Sequence, residues 1–126
     1  MNTPPAANDR IVLSGMRFEG RHGATEEERE LPQLIELDVE LWLDVAAAGR
    51  TDDLAATVDY GPVIELCRDV VERRSFRLLE AIAEATAAAV LHGTLAQSVV
   101  VRVRKLAVPV DADLDFAGVE IQRGRV

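Results

Sequence analysis

The stretch that decides the fold is residues 33–45, which read QLIELDVELWLDV. Its apolar members are Ile35, Leu37, Val39, Leu41, Leu43 and Val45. They alternate with Glu36, Asp38, Glu40, Trp42 and Asp44. Because successive side chains of a strand point to opposite faces, this alternation predicts one long strand with a buried face and a solvent-facing one. Such a strand is typical of an antiparallel sheet.

Three more strands are predicted around this one. Residues 10–20 are strand-like, and a change of phase near Ser14-Gly15 predicts a β-bulge, the usual meaning of a glycine inside a strand. A third strand is predicted from the alternation of Val99, Val101 and Val103 with Val100, Arg102 and Arg104. Residues 117–123 are interpreted as a fourth strand.

Two helices are predicted between the second and third strands. Gly61-Pro62 opens the first, whose apolar stripe comprises Val63, Leu66, Cys67, Val70 and Val71. The second is predicted from about Phe76 to His92, with Gly93 as its stop signal. Its inward side chains are predicted to be Leu78, Leu79, Ile82, Thr86 and Val90. The order ββααββ predicts an α+β fold in which two helices cover one face of a four-stranded antiparallel sheet.

Length and composition favour one soluble domain. The chain has 126 residues, 48% of them hydrophobic, which suffices for a single core. We expect residues 10–126 to form this domain, and residues 1–9, which are polar and rich in proline and alanine, to be a flexible N-terminal segment. No uncharged apolar run approaches the roughly 20 residues of a spanning helix, and no secretory signal is recognised. A cytoplasmic protein is therefore expected.

Charge and thiol content exclude further classes. Twenty-two acidic residues stand against 14 basic ones, a net charge of −8, which disfavours nucleic acid as a partner because phosphate binding needs a basic face. One cysteine excludes an internal disulfide and a multi-thiolate zinc site. His22 and His92 are too few for a three-histidine zinc site. Cys67 lies on the apolar stripe and is interpreted as core packing.

Acid and base candidates cluster in three connecting regions. Residues 21–30 are either a solvated acidic loop or a catalytic segment. The second region comprises residues 50–53 and 57–61. Its Thr, Asp and Gly residues are common in turns and helix caps, so a purely structural role would explain much of it. Lys105 ends the third strand, where a lysine is usually a solvated edge residue.

The rarity of two residue types adds a clue. Thirteen of the 14 basic residues are arginine, Lys105 is the only lysine, and Tyr60 is the only tyrosine. Arginine keeps its proton at any working pH, whereas a lysine amine can be tuned to lose one. The sole lysine is therefore a candidate proton carrier, with chance in an arginine-biased sequence as the alternative.

Glu80 interrupts a helical apolar run, residues 78–82. A carboxylate near the start of a helix is favoured by the helix dipole. It would also make a good double acceptor for a ligand with adjacent N–H donors. A surface position on the wet face of the helix is equally compatible with the periodicity.

Taken together, these segments resemble the dihydroneopterin aldolase family of folate biosynthesis, which has the tunnelling fold. The resemblance extends from Ile11 to about Ile121. Its motifs are Gly15-Met16-Arg17-Phe18, Gly20-Arg21-His22-Gly23-Ala24, Glu28 ahead of Gln33, Arg50-Thr51-Asp52-Asp53, Thr57-Val58-Asp59-Tyr60-Gly61, Leu78-Leu79-Glu80 and Val103-Arg104-Lys105. Each motif is short, but their order and spacing match the predicted ββααββ arrangement.

The resemblance implies an activity and residue roles. The family cleaves 7,8-dihydroneopterin into 6-hydroxymethyl-7,8-dihydropterin and glycolaldehyde with no metal, cofactor or lysine Schiff base, because the dihydropterin C=N bond accepts the electrons. Lys105 would be the general acid/base near the pterin ring nitrogen, and Tyr60 would handle protons at the side-chain hydroxyl and the departing carbon. Glu28 would orient the substrate side chain and the catalytic lysine or water. Glu80, with the backbone around Leu79, would anchor the aminopyrimidinone edge.

The resemblance also implies self-association, in a ring of four subunits or a stacked octamer with each pocket between neighbours. No nucleic-acid or membrane partner is expected. Two features depart from the family pattern. Pro32 precedes Gln33 where many members have glycine, and only Pro109 remains of a proline-rich stretch after Lys105.

Two alternative functions follow from these observations. The related dihydroneopterin triphosphate 2'-epimerase shares the fold and much of the chemistry, and Arg21 and Arg104 would be its candidate phosphate ligands here. From a different class, the chain would be a non-catalytic pterin- or purine-binding oligomer.

Overall fold

The computed structural model describes residues 8–125, which form a four-stranded sheet with helices on one face. The strands are β1 (Arg10–Gly20), β2 (Gln33–Trp42), β3 (Ser98–Lys105) and β4 (Ala117–Gly124). The helices are α1 (Glu26–Arg29), α2 (Ala46–Thr51), α3 (Tyr60–Arg73) and α4 (Leu79–Gly93), with a 3₁₀ turn at Leu54–Ala56. All neighbouring strands are antiparallel, in the order β1-β2-β3-β4. The predicted α+β fold is confirmed, with three short helical elements added to it.

The predictions for the two ends of the chain are only partly covered by the structure. Residues 1–7 of the predicted flexible segment, and Val126, lie outside the described residues. Asp9, at the end of that segment, is hydrogen-bonded to the residues that follow β2. Its carbonyl oxygen accepts from the Leu43 N–H at 3.0 Å, and its Oδ2 accepts from the Val45 N–H at 3.2 Å.

The central strand is shorter than predicted. The alternation predicted a strand to Val45, but β2 ends at Trp42. The chain turns there because the Asp44 carboxylate accepts from the Ala46 N–H at 2.8 Å and α2 begins at that residue. The apolar alternation continues for three residues beyond the strand because Leu43 stays buried in the core.

The helix-covered face of the sheet forms the core. Helix α3 packs on β1, α4 packs on β3 and β4, and the two helices pack on each other. The fully buried β2 side chains beneath them are Ile35, Leu37, Val39 and Leu41. The buried residues of the helices include Val63, Cys67, Val70, Val71, Ile82, Thr86 and Val90, as predicted. Burial raises the pKa of Cys67 to about 12, which suits the predicted packing role.

The prediction for Leu78 is wrong. Leu78 has extended backbone angles and precedes the first turn of α4. It is therefore not part of the helix whose periodicity predicted an inward side chain. Its side chain is 54% exposed. Leu66 and Leu79 are half-buried at the edge of the core.

The carboxylates of β2 on the other face of the sheet are not exposed to solvent, contrary to the prediction for this strand. Asp38 and Glu40 are only 8% and 5% exposed because arginines of β1 and β3 cover them. Arg104 donates to Asp38 and Glu36 at 2.7 Å each, and Arg102 donates to Glu40 at 2.7 Å. Burial alone would raise the pKa of Asp38, but hydrogen bonds from Arg104 and the Gly15 N–H outweigh it and lower that pKa. The alternation correctly predicted the strand periodicity but not the burial of its carboxylates beneath arginine side chains.

The predicted bulge in β1 is confirmed. The pairing with β2 shifts register between Leu13 and Met16, and Gly15 has a φ of 70°. This left-handed conformation favours glycine, and it aims the Gly15 N–H at Asp38 Oδ1, 2.7 Å away. In the described part of the chain, no helix combines the length and the apolar character needed to cross a membrane.

Candidate active site

A one-turn helix orients the first candidate residue. Glu28 is the third residue of α1, and Thr25 is the residue before its first turn. Thr25 Oγ1 accepts from the Glu28 N–H at 3.2 Å, and Glu28 Oε1 accepts from the Thr25 N–H at 3.4 Å. This reciprocal pair is a capping box, whose Thr-x-x-Glu signature is visible in the sequence. Residues 21–30 are therefore a structured segment rather than a loop alone.

The second oxygen of Glu28 pairs with the sole lysine. Lys105 is the last residue of β3 and is 9% exposed, and its Nζ donates to Glu28 Oε2 at 2.7 Å. This hydrogen bond is the main cause that lowers the pKa of Glu28, with burial acting in the opposite direction. The pair therefore presents an ammonium group held in place by an ionised carboxylate.

The ion pair opens on a cavity of about 250 Å³. Its walls are His22, Gly23, Ala24, Glu28, Arg77, Leu78, Leu79, Glu80, Lys105 and Pro109. The structure thus brings together four of the five predicted site residues, which come from α1, β3 and the start of α4. Glu80 lies in the first turn of α4, exposed at the cavity, where the helix dipole favours its negative charge.

Tyr60 is the predicted residue that the cavity does not include. It is the first residue of α3, where Asp59 caps the helix by accepting from the Gly61 N–H at 3.2 Å, and its side chain is 59% exposed. A larger hollow of about 420 Å³ lies beside this helix start and is lined by residues 57–59, 62 and 92–95. That hollow contains none of the five predicted site residues, so we place the candidate site at the smaller cavity, where the acid, base and anchor groups converge.

The two departures from the family pattern leave the cavity walls intact. Gln33, which follows Pro32, uses its Nε2 to donate to the carbonyls of His22 and Glu28 at 2.8 Å each. Arg29 donates to the Gly23 carbonyl at 2.8 Å. Pro109, the one proline kept after Lys105, lies in the wall. The loop is therefore held by hydrogen bonds that do not require glycine at position 32.

Sequence reasoning missed two wall residues, His22 and Arg77. From the sequence, His22 was excluded from a zinc site and placed in a family motif without an assigned role, yet it is 2% exposed and both ring nitrogens are hydrogen-bonded. The signal was its position between glycines: a Cβ on Gly20 would lie 2.5 Å from His22 Nε2, and one on Gly23 would lie 2.3 Å from Glu28 Cβ. Arg77 carried no signal beyond its place before the Leu78-Leu79-Glu80 motif.

Arg21 and Arg104, the candidate phosphate ligands, do not line the cavity. Arg104 is engaged with Glu36 and Asp38 on the helix-free face, and Arg21 donates to the Glu30 carbonyl. Within residues 8–125, no group of three or more His, Cys, Asp or Glu side chains is arranged to hold a metal ion.

Comparison with known proteins agrees with this geometry. A family model described as dihydroneopterin aldolase matches residues 11–122. The chain belongs to the dihydroneopterin aldolase family. A dihydroneopterin aldolase of Methylorubrum extorquens is 42% identical over 118 residues, which cover 93% of this chain and 91% of the relative.

Solved structures of the family have the same fold. The Escherichia coli dihydroneopterin aldolase, in complex with neopterin, superposes with a TM-score of 0.85 at 26% identity and covers 92% of this chain and 99% of its own. A dihydroneopterin aldolase from a Burkholderia species, bound to guanine, gives a TM-score of 0.76 at 27% identity and covers 94% and 92%. The α+β fold that carries the cavity is thus the fold of this family.

Substitution of Gly23 by alanine should displace Glu28 from Lys105. The new Cβ would lie 2.3 Å from Glu28 Cβ and 2.9 Å from its Cδ, so the carboxylate must move. We expect the pKa of Glu28 to rise toward its usual value, and the free energy of unfolding to fall by about 1–3 kcal/mol, as for other overpacked sites. NMR titration of the side-chain carboxylates measures the pKa.

Gly49→Ala is the matched control, because a Cβ there meets open space and the residue lies in α2. Alanine at this helical position should stabilise the protein by up to about 1 kcal/mol and leave Glu28 unchanged. An unaltered Glu28 pKa in Gly23→Ala would show that the close packing of Gly23 does not position Glu28 against Lys105.

Proposed function

We propose that this protein cleaves 7,8-dihydroneopterin by a retro-aldol reaction into 6-hydroxymethyl-7,8-dihydropterin and glycolaldehyde. The observation that carries the proposal is the Lys105–Glu28 ion pair in the wall of a cavity that Glu80 also lines. Membership of a lyase family supports the reaction class. The proton carrier and the substrate anchor are thus both within one chain.

Glu80 is proposed to anchor the pterin ring. The aminopyrimidinone edge carries adjacent N–H donors, and a carboxylate accepts two of them at once, in a strong charge-assisted pair. Neopterin, bound by the E. coli relative, and guanine, bound by the Burkholderia relative, share this edge. That two relatives bind ligands with the same edge supports a carboxylate in this role, with the backbone around Leu79 beside it.

Bound in this way, the ring presents its C=N bond to Lys105. Removal of the proton from the second side-chain hydroxyl starts the reaction: a carbonyl forms there, and the bond between the first and second side-chain carbons breaks. The electron pair of that bond moves into the ring C=N, and Lys105 supplies a proton to the ring nitrogen. The resulting enamine takes a proton at the first side-chain carbon and returns the nitrogen proton to Lys105. Tyr60 is proposed to handle the protons at the hydroxyl and the carbon.

The pairing with Glu28 gives Lys105 the features that this role requires. The carboxylate holds the Lys105 Nζ in a fixed position at the cavity wall. A general acid must also release the proton and take it back, which arginine cannot do. Glu28 is further proposed to orient the substrate side chain, since it lies in the same wall.

The active unit is proposed to be a ring of four subunits, alone or stacked as an octamer. Two features of the single chain support shared sites. The cavity of about 250 Å³ is below the roughly 300–1,000 Å³ of typical small-molecule sites. Tyr60 lies exposed at the start of α3 and does not line the cavity of its own chain. We therefore propose that its phenol enters the cavity of a neighbouring subunit. Pairing of the open edges β1 and β4 between subunits would cover both.

The alternatives receive less support from the geometry. A triphosphate epimerase needs cations at the cavity to bind the phosphates. Arg21 and Arg104 are engaged elsewhere. Among the described residues, Arg77 is the one arginine in the cavity wall. A non-catalytic binder would not need the lysine that is paired here with Glu28. The cytoplasmic location expected from the sequence stays a prediction.

The purified protein should convert dihydroneopterin into the two cleavage products, and Lys105→Arg should be severely impaired. Arginine preserves the charge but does not exchange its proton, so we expect the single-turnover cleavage rate to fall by about 10²–10⁴-fold. Neopterin affinity should change much less, because Glu80 remains. Chromatography of the products and single-turnover kinetics measure these effects.

Conversion of the triphosphate to its epimer without cleavage would replace the aldolase assignment by the epimerase. A Lys105→Arg protein that is folded and cleaves at nearly the parental rate would rule out proton transfer by the lysine. Lys105→Ala serves as the reference for complete loss of the side chain.

Mixed oligomers should recover activity if the sites are shared. Tyr60→Phe lacks the phenol and Lys105→Ala lacks the amine, so each homo-oligomer has only defective sites. After dissociation and reassembly together, some sites combine an intact Lys105 from one chain with an intact Tyr60 from another. We expect activity well above that of either variant alone. A protein that light scattering shows to be a fully active monomer would contradict shared sites.

A further inference from the structure

We propose that His22 is a positioning residue that holds the pterin-anchoring segment, residues 76–80, against the loop that carries Glu28, and that it does so only as a neutral imidazole. The inference rests on the function proposed above because it concerns the same cavity. It assigns His22 no contact with the reacting atoms.

Two hydrogen bonds fix the His22 ring between separate elements. Its Nε2 lies 2.7 Å from the carbonyl oxygen of Val71 in the last turn of α3, and the Phe76 N–H donates to its Nδ1 at 3.0 Å. A ring nitrogen that accepts a hydrogen bond carries no proton, so the proton is on Nε2, which donates to Val71. The ring also stacks on Phe76, with 5.9 Å between centroids. The geometry therefore selects one neutral tautomer.

The main chain of the same segment completes the connection. The His22 carbonyl accepts from Gln33 Nε2, which also donates to the Glu28 carbonyl. The next residue, Gly23, donates its N–H to the Phe76 carbonyl at 3.0 Å. Residues 22 and 23 thus bind both the donor and the acceptor of Phe76. Any displacement of Phe76 would shift the start of α4, with Glu80, relative to Glu28.

Protonation of His22 would break this connection. An imidazolium carries N–H groups on both nitrogens, so Nδ1–H would face the Phe76 N–H, donor against donor. The charged groups that line the same cavity are Lys105 of β3, Glu28 of α1, Arg77 of the α3–α4 connection and Glu80 of α4, while α3 presents the Val71 carbonyl.

The direction of the pH effect follows from these surroundings. Burial lowers the pKa of His22, the hydrogen bond to Val71 opposes this, and the Lys105 charge lowers it further. The neutral form therefore persists below the ordinary pKa of 6.5. The connection is intact above that value and is lost as the pH falls through the lowered pKa.

Linkage between His22 and pterin binding tests the proposal in the unmodified protein. If neopterin binds the neutral form, its affinity falls as the pH drops through the His22 pKa, and saturating neopterin lowers that pKa further, because the coupling is reciprocal. NMR of the His22 imidazole measures its pKa with and without neopterin. Neopterin titrations at a series of pH values measure the affinity. His92, exposed at the end of α4 and outside this cavity, is the internal control: its ring signals should not respond to neopterin.

The outcomes separate the two proposals. A protein that neither binds neopterin nor cleaves dihydroneopterin overturns the proposed function and this inference with it. A protein that does both, but whose His22 pKa is the same with and without neopterin, overturns the inference alone.

Two amide variants distinguish positioning from a purely structural role. His22→Asn places an amide oxygen near the Nδ1 position and keeps the acceptor for Phe76, whereas His22→Gln places an amide nitrogen near Nε2 and keeps the donor to Val71. We expect neopterin affinity within about threefold of the parent for His22→Asn, and a loss of about tenfold or more for His22→Gln, whose buried Phe76 N–H has lost its partner. The acid fall in affinity through the His22 pKa should be absent in His22→Asn.

A structural role predicts instead that affinity follows thermal stability, whichever variant is the less stable. Equal affinities in the two folded variants, or the reverse order, would overturn the positioning role. His92→Asn, which changes the exposed histidine, should bind neopterin like the parent.

Discussion

The ion pair between Lys105 and Glu28 is the contact on which the rest of the site depends. Helix α1 has only four residues and is too short to be stable alone, so its place is set by the capping box with Thr25 and by the bond to Lys105. The capping box engages one carboxylate oxygen and leaves the other for the lysine. One glutamate therefore fixes a helix, the end of a strand and the wall of a cavity.

The arginines and the single lysine occupy different places in the structure, in keeping with their different chemistry. On the helix-free face, Arg102 and Arg104 pair with the carboxylates of β2, where a permanent charge and a forked donor stabilise a buried network. At the cavity lies the one lysine, which is proposed to carry a proton. Under the proposed function, this division explains the arginine-rich composition: the sheet needs fixed charges, and the proposed reaction needs one cation that can release its proton.

Sequence reasoning predicted the elements that periodicity determines and missed those that tertiary contacts determine. The period-2 alternation of β2 and the apolar stripe of α3 both reflect contact with the core, so the strand and the helix were confirmed, although β2 ends at Trp42 and not at Val45. The burial of Asp38 and Glu40 could not be predicted, because their arginine partners lie on β1 and β3, more than 25 residues away in sequence. Helix α1 carried a readable Thr-x-x-Glu signature, whereas the role of His22 depends on Val71 and Phe76, which only the fold brings near.

A double-mutant cycle on the single-turnover cleavage of dihydroneopterin tests the central claim most directly. It compares Glu28→Gln, Lys105→Met and the double variant with the parent, after each is shown to fold and to bind neopterin. If Glu28 acts by holding Lys105, the two residues work as one unit, and the double variant cleaves at about the rate of the slower single variant. Rate losses that multiply in the double variant would mean that the residues act independently, and would contradict the account.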